Sequence, residues 1–273
     1  MMNLIDAHNH LHDTRLAPHR AAILAELQRL HVTRAVVNGT QENDWDAVSA
    51  LSHEHDFVIP SFGLHPWYVA KRTPDWFTKL REKLIAHPNA GVGEIGLDRW
   101  IEGHDLDTQT EVFLPQLAFA AELNRPVTIH CLRAWGALND LLHKHPLPQR
   151  GFLLHAYGGP AEMVAGFVAL GAYFSFNAYF LAERKTRQRE TFREIPMDRL
   201  LVETDAPSMP PPEKLNAYPI RDERGELLNH PANIMLAYEK LAEIRAVPAE
   251  ALAAQVTINF SQLFRGADRA IAG

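Results

Sequence analysis

The sequence has a single cysteine, no long apolar run and no excess of basic residues. Since Cys131 stands alone, an internal disulfide framework is excluded. No stretch of about 18 apolar residues occurs, so no membrane span is predicted. The opening segment, MMNLIDAHNHLHD, lacks the basic and apolar regions of a signal peptide. These absences predict a cytoplasmic protein that does not bind a membrane.

The formal net charge of −6 argues against a broad basic surface of the kind that binds nucleic acid through many phosphate contacts. It does not exclude an enzyme that acts on nucleic acid, because bound divalent ions add positive charge that a residue count omits. The 273 residues with 47% hydrophobic content are sufficient for one large domain with a full core. We therefore expect residues 1–273 to form a single domain.

Eight short segments rich in apolar and β-branched residues are each closed by turn-forming residues. They are NLIDAHNH, RAVVNGT, FVIPSFGLH, AGVGEIGLD, PVTIHCL, GFLLHAYGG, AYFSFNA and RLLVETDAP. Helix-like segments lie between them, for example HRAAILAELQRLH, PDWFTKLREKLIAH and PAEMVAGFVAL. This alternation predicts a parallel sheet covered by helices, and a (β/α)8 TIM barrel is the favoured interpretation. A doubly wound open sheet is the alternative.

Titratable residues are concentrated at the ends of these predicted strands. In DAHNHLH, side-chain alternation places His8, His10 and Asp6 on one face of the first strand, which fits either a metal site or a polar surface strand. Barrel enzymes build their sites from the carboxyl ends of several strands, so distant residues would meet at one mouth. The six candidate ligands are His8, His10, Glu94, His130, His155 and Asp205.

Four histidines and two carboxylates are more ligands than one tetrahedral ion needs. They suit two divalent ions about 3.5–4 Å apart, with Zn²⁺, Mn²⁺ and Mg²⁺ as candidates. Glu94 is the expected bridging carboxylate. We expect one ion to be held by His8, His10 and Asp205, and the other by His130 and His155.

His65, which precedes Pro66, has three possible roles: metal ligand, donor to a substrate phosphate, or structural turn residue. We favour the phosphate donor. The long segment 208–229, SMPPPEKLNAYPIRDERGELLN, follows the eighth strand and predicts either a lid over the mouth or a passive brace.

The runs DAHNHLH, SFGLHPW, GEIGLD, IHC, LLHAYGG and VETDAP, in this order, resemble the TatD family of metal-dependent hydrolases, a branch of the amidohydrolase superfamily with a TIM-barrel fold. The resemblance covers roughly residues 4 to 265. It implies metal ligands at the six positions above and a binuclear hydrolase, usually a deoxyribonuclease that acts on DNA ends. The family often has an arginine where this chain has Leu132, so substrate contact by the following Arg133 is in question.

Together these features predict hydrolysis of phosphodiester bonds, with single-stranded DNA as substrate, by a metal-bound hydroxide. Catalytic roles are expected for Glu94, for Asp205 as the group that orients water and accepts its proton, and for His65. Expected substrate contacts are His65, Arg133, Trp67 and Tyr157, although aromatic residues after strand ends also serve to pack helices on a barrel. The alternatives are hydrolysis of another ester, such as a mis-acylated tRNA, or of small phosphoesters. A metal-dependent binding protein without activity is a further alternative.

Overall fold

A computed structural model describes residues 2–264. Its main feature is a sheet of eight parallel strands that follow one another in chain order. The strands are β1 (Leu4–Asn9), β2 (Val32–Asn38), β3 (Val58–Phe62), β4 (Gly91–Asp98), β5 (Val127–Leu132), β6 (Phe152–Leu154), β7 (Ala172–Asn177) and β8 (Leu200–Glu203).

The first and last strands lie side by side, so the sheet closes on itself. Just beyond β8, the Asp205 amide donates to the His8 carbonyl oxygen at 3.0 Å. The His10 amide in turn donates to the Ala206 carbonyl oxygen at 2.7 Å. The strands are short and apolar and are almost wholly buried, as expected for a parallel sheet covered by helices. The predicted (β/α)8 barrel is confirmed, and the open-sheet alternative is wrong.

Helices cover the outside of the barrel. They are α1 (Arg20–Arg29), α2 (Trp45–Glu54), α3 (Trp76–Ala86), α4 (Leu106–Glu122), α5 (Trp135–Lys144), α6 (Val164–Ala169), α7 (Thr186–Glu194), α8 (Ile234–Arg245) and α9 (Ala249–Leu263). The segment PAEMVAGFVAL forms a 3-10 turn, Ala161–Met163, followed by the short helix α6. Within residues 2–264, no helix combines the length and the apolar character that crossing a bilayer would require.

The segment 208–229 lies along the outside of α1. It contains a small antiparallel hairpin of β9 (Ile220–Arg221) and β10 (Leu227–Leu228). The Arg221 carbonyl oxygen lies 3.2 Å from His19 Nε2, before α1, and Tyr218 Oη lies 3.4 Å from Arg29 Nη2 at the end of α1. Asn229 Nδ2 donates to the Thr204 carbonyl oxygen at 2.6 Å. These contacts favour the brace over the lid.

Candidate metal centre

Glu94, on β4, lies buried at the centre of the barrel mouth and presents its two oxygens to two groups of histidines. Its Oε2 lies 3.4 Å from His8 Nε2 and 3.3 Å from His10 Nε2. Its Oε1 lies 3.0 Å from His155 Nε2 and 3.1 Å from His130 Nδ1. One carboxylate therefore contacts both halves of the cluster, as a bridging ligand would.

Asp205 completes the first half. Its Oδ1 lies 3.4 Å from Nε2 of both His8 and His10, and those two nitrogens lie 3.3 Å apart. The backbone of Asp205 is left-handed, with φ of 55°, which is uncommon for a residue other than glycine and is found more often at functional sites. The side chain is buried and directed at the two histidines rather than into solvent.

The second half contains His65 as well as the two predicted histidines. His130 Nδ1 and His155 Nε2 lie 3.3 Å apart. His65 Nε2 lies 3.2 Å from Glu94 Oε1. Gly63 allows this close packing, because a Cβ atom at that position would lie 2.8 Å from the Glu94 carbonyl oxygen.

These separations fit ligands that share an ion. Two ligand atoms on a tetrahedral ion, each about 2.0–2.1 Å from it, lie about 3.3–3.4 Å apart. Candidate ligand atoms that all lie within 4.8 Å of one another form three groups. The groups are His8, His155 and Asp205; His8, His10 and Glu94; and His65, Glu94 and His130.

The charges in the cluster also fit cations. Among residues 2–264, neither Glu94 nor Asp205 is paired with a lysine or arginine. Burial raises the pKa of Glu94, but the charges of the surrounding histidines outweigh it and hold that pKa well below its usual range. Burial lowers the pKa of His10, but hydrogen bonds to Asp205 and Glu94 raise it well above its usual range. The two buried carboxylates therefore require positive charge beside them.

The partners of the remaining ring nitrogens fix the tautomers of two of the histidines. His10 Nδ1–H donates to the Asn38 carbonyl oxygen at 2.8 Å, so Nε2, which faces Glu94, is the nitrogen that would present a lone pair to an ion. His130 Nε2–H donates to Asp98 Oδ2 at 2.9 Å, so Nδ1, which faces Glu94, is the nitrogen that would present a lone pair to an ion. Each of these two histidines is therefore held in the tautomer that a metal ligand requires.

The outer nitrogens of His155 and His8 also face polar side chains. His155 Nδ1 faces Glu203 Oε1 at 3.5 Å. His8 Nδ1 lies 3.0 Å from the Asn38 amide nitrogen, whose neighbouring Oδ1 is buried and unpaired. A half-turn of that amide would bring the unpaired oxygen to His8 Nδ1 as an acceptor, and the His8 Nε2 lone pair would then be free for an ion.

His65 differs from the other histidines. Its Nδ1 accepts a hydrogen bond from the Trp67 amide at 3.1 Å. Burial lowers its pKa to about 4, so the ring is neutral and its proton is on Nε2. The nitrogen that faces Glu94 is therefore a donor, whereas a ligand would present a lone pair there.

Sequence reasoning missed the outer partners Asn38, Asp98 and Glu203. Each is the final residue of its strand, in β2, β4 and β8, and each is buried. A polar residue that ends an apolar strand was the available signal. That signal does not say which histidine the side chain reaches.

The rim beside His130 carries exposed aromatic rings. Trp67 Nε1 donates to Asp98 Oδ2 at 2.7 Å, and the indole is 41% exposed. Trp100 is 55% exposed, and its ring centroid lies 6.3 Å from that of Trp67. Arg133 is exposed directly after β5, beside the backbone hydrogen bond from the Arg99 amide to the Leu132 carbonyl oxygen.

Tyr157 is not part of this rim. Its side chain is fully buried, and its hydroxyl donates to the Pro160 carbonyl oxygen at 2.7 Å. The ring packs against Trp135 and Phe174, with centroids 4.7 and 5.0 Å away. This burial contradicts the expectation that Tyr157 contacts substrate; it packs the helix layer against the barrel instead.

The comparisons with known proteins agree with the fold and the cluster. The sequence profile described as TatD related DNase matches residues 5–265. The chain is 29% identical over 263 residues to YabD of Bacillus subtilis (strain 168), which is named an uncharacterized metal-dependent hydrolase, covering 96% of this chain and 99% of that protein. It is 28% identical over 264 residues to the 3'-5' ssDNA/RNA exonuclease TatD of Erwinia tasmaniensis, covering 96% and 99%.

Among solved structures, the fold is similar to that of YjjV, a TatD homologue from Escherichia coli K12. The TM-score is 0.87 at 27% identity, and 96% of this chain and 97% of that chain are covered. A barrel of this type with a buried histidine and carboxylate cluster at its mouth defines a metal-dependent hydrolase. The chain belongs to the TatD-related DNase family.

Proposed function

We propose that this chain, acting as one barrel domain over residues 1–273, is a deoxyribonuclease that hydrolyses phosphodiester bonds in single-stranded DNA. The observation that carries the proposal is the position of Glu94 between two sets of ligands, because two bridged ions suit in-line displacement at a phosphodiester. The relative named as a 3'-5' ssDNA/RNA exonuclease supports the same substrate class.

The residues fit two divalent ions, with Zn²⁺, Mn²⁺ and Mg²⁺ as candidates. His8, His10 and Asp205 would hold one ion, His130 and His155 the other, and Glu94 both. When bound, such ions polarise a phosphoryl oxygen and lower the pKa of water.

Asp205 is proposed to orient the attacking water and accept its proton. Burial raises the pKa of this carboxyl, but hydrogen bonds from His10 and His8 outweigh burial and bring the pKa below its usual range. The group is therefore ionised at neutral pH, as a proton acceptor must be. Its Oδ2 is the oxygen that does not face those histidines.

His65 is proposed to bind the substrate phosphate. Its neutral Nε2–H is a donor at the centre of the mouth, so it would hydrogen-bond a non-bridging oxygen without a change of protonation. The exposed Trp67 and Trp100 rings offer stacking surfaces for unpaired bases, and Arg133 offers a charge for a flanking phosphate. Tyr157 has no part in this proposal.

A substrate panel tests the proposed function. Metal-loaded protein would be assayed on single-stranded DNA, RNA, a small aryl phosphodiester, nucleoside monophosphates and an aminoacyl ester. Faster cleavage of DNA than of the other four is expected. Preferential hydrolysis of the aminoacyl ester would indicate an esterase, and preferential hydrolysis of monophosphates would indicate a phosphatase. In either case the nuclease proposal would be withdrawn.

Asp205→Asn provides the mechanistic arm of this panel. The amide keeps the side-chain shape but cannot accept a proton, so turnover on DNA should fall at least about 100-fold while oligonucleotide affinity changes little. Turnover within a few-fold of that of the unmodified protein would contradict the assigned role.

A further inference from the structure

A second surface at the mouth combines positive charge with an aromatic ring. Residues 183–194 read ERKTRQRETFRE, an unusually basic stretch in a chain of net charge −6. They form the end of the connection from β7 and the helix α7. Because this connection leaves the carboxyl end of a barrel strand, it lies on the same face as the metal centre.

Three cations of this stretch, Arg184, Lys185 and Arg187, are called the basic rim below. Among residues 2–264, none of the three lies within ion-pair distance of a carboxylate. Arg189 is different, because its guanidinium donates to the carbonyl oxygens of Phe180 and Ala182 and so has a structural role. Among the described residues, no carboxylate therefore neutralises the charge of the basic rim.

Tyr179 links the basic rim to the catalytic face. Arg184 and Lys185 lie over its ring, with their cationic groups 5.1 and 5.2 Å from the centroid. The Tyr179 amide donates to Asn177 Oδ1 at 2.9 Å, and Asn177 Nδ2 donates to the Thr204 carbonyl oxygen at 2.8 Å. Thr204 directly precedes Asp205, so a short hydrogen-bonded path ties the rim to the metal centre.

The basic rim and the exposed tryptophans lie on opposite sides of the barrel. Trp67 and Trp100 follow β3 and β4, whereas the basic rim follows β7. In an eight-stranded barrel β3 faces β7 across the mouth and β4 faces β8, the neighbour of β7, so the two surfaces lie on opposite sides of the mouth.

We propose that the basic rim is a phosphate-binding subsite that holds the backbone of a single strand several nucleotides from the scissile bond. This rests on the proposed nuclease function and deepens it: the preferred substrate is an extended polynucleotide that crosses the mouth, rather than a dinucleotide or a mononucleotide. Arginine and lysine without carboxylate partners, beside an aromatic ring, are the side chains that single-strand grooves use for backbone contact and stacking.

The test compares two double variants with the same change in charge. Lys185→Gln with Arg187→Gln removes two cations of the rim and retains the contact between Arg184 and Tyr179. Lys144→Gln with Arg193→Gln also removes one lysine and one arginine, both exposed and at the carboxyl-terminal ends of α5 and α7. Those helix ends lie at the opposite end of the barrel from the mouth.

Two measurements are made on each metal-loaded protein. The first is binding of a fluorescent dT12 whose phosphorothioate linkages resist cleavage, followed by anisotropy at several salt concentrations. The second is kcat/KM for ordinary dT12 and for a small aryl phosphodiester, which is too short to reach the rim.

The rim variant should bind dT12 about five- to tenfold more weakly, and the slope of log affinity against log salt should fall by about 1.4, since each contact with a single strand adds about 0.7. Its kcat/KM should fall for dT12 and not for the small diester, and the control variant should match the unmodified protein. Equal losses in the two double variants, or no loss in either, would overturn the subsite. If the unmodified protein cleaves neither substrate, the proposed nuclease function fails, and the binding comparison alone decides the subsite.

Discussion

At the residue scale, the histidines of the cluster are distinguished by the atoms on their far sides. An acceptor on the far side, as for His10 and His130, holds the outer N–H, so the inner nitrogen is the one that would present a lone pair to an ion. A donor on the far side, as for His65, leaves a proton there instead. The same side-chain type thereby serves as a ligand in one place and as a donor to substrate in another.

The dependence of His130 on Asp98 predicts a loss of metal affinity in Asp98→Asn. Asp98 Oδ2 accepts hydrogen bonds from both His130 and Trp67, and its Oδ1 accepts from the Trp100 and Ile101 amides. In asparagine one of these oxygens is replaced by an NH2 group, which would face N–H donors and could not accept from them. Competition with a chromophoric chelator should show a 10–100-fold weaker affinity for at least one ion.

Glu203→Gln is the matched control for Asp98→Asn. Its amide oxygen can still face His155 Nδ1 as an acceptor, and its nitrogen can donate to the Ser175 hydroxyl oxygen, so metal affinity should change less than about threefold. Equal losses in the two variants would show that the carboxylate charge matters, and not the acceptor pattern.

At the element scale, the six ligand candidates lie within or just beyond five strands, β1, β4, β5, β6 and β8, whose arrangement in the barrel brings them to one mouth. The strand predictions therefore anticipated that these six side chains would lie close together. His155 lies one residue beyond the short strand β6, and Asp205 lies two beyond β8, yet both join the cluster. The exact ends of the predicted strands therefore mattered less than the order of the strands in predicting which side chains meet.

The stability of the turn before α8 is expected to depend on pH. His230 Nδ1 accepts a hydrogen bond from the Ala232 amide at 3.0 Å, and the ring stacks on Tyr218. Burial lowers the His230 pKa to about 4. Because the folded-state pKa lies below the unfolded value of about 6.5, this histidine contributes stability that is present above pH 6.5 and is lost as pH falls toward 4.

His230→Asn should reduce that loss, since asparagine can cap the same turn without titrating. Between pH 7.5 and pH 5, the unmodified protein should lose about 1 kcal/mol more unfolding free energy than the variant does, allowing for partial solvent screening. Urea unfolding of both proteins at the two pH values measures the difference. Identical pH dependence in the two proteins would refute the role of His230.

At the scale of the whole molecule, the fold and the convergence of the six candidate ligands could be predicted because strand alternation and residue order report them directly. Orientation could not be predicted in the same way. Tyr157 and Trp67 both follow predicted strand ends, yet one is buried and the other is 41% exposed. Which way a ring turns depends on packing with distant elements, and the local sequence does not contain that information.

Charge is also distributed at this scale in a way that the net value of −6 conceals. Cations without carboxylate partners among residues 2–264 include Arg133, Arg184 and Lys185, all of which follow the carboxyl ends of barrel strands. A chain that is acidic overall can thus present positive charge where a polyanionic substrate would enter.

The central claim is that Glu94 joins two ion sites into one hydrolytic centre. The most direct test is metal content and single-stranded DNA hydrolysis, measured together on the unmodified protein and on Glu94→Gln, with Mg²⁺, Mn²⁺ or Zn²⁺ added back to metal-stripped samples. We predict two bound ions and metal-dependent cleavage in the unmodified protein, and the loss of at least one ion with an activity at least about 100-fold lower in Glu94→Gln. Two retained ions and undiminished cleavage in Glu94→Gln would contradict the account.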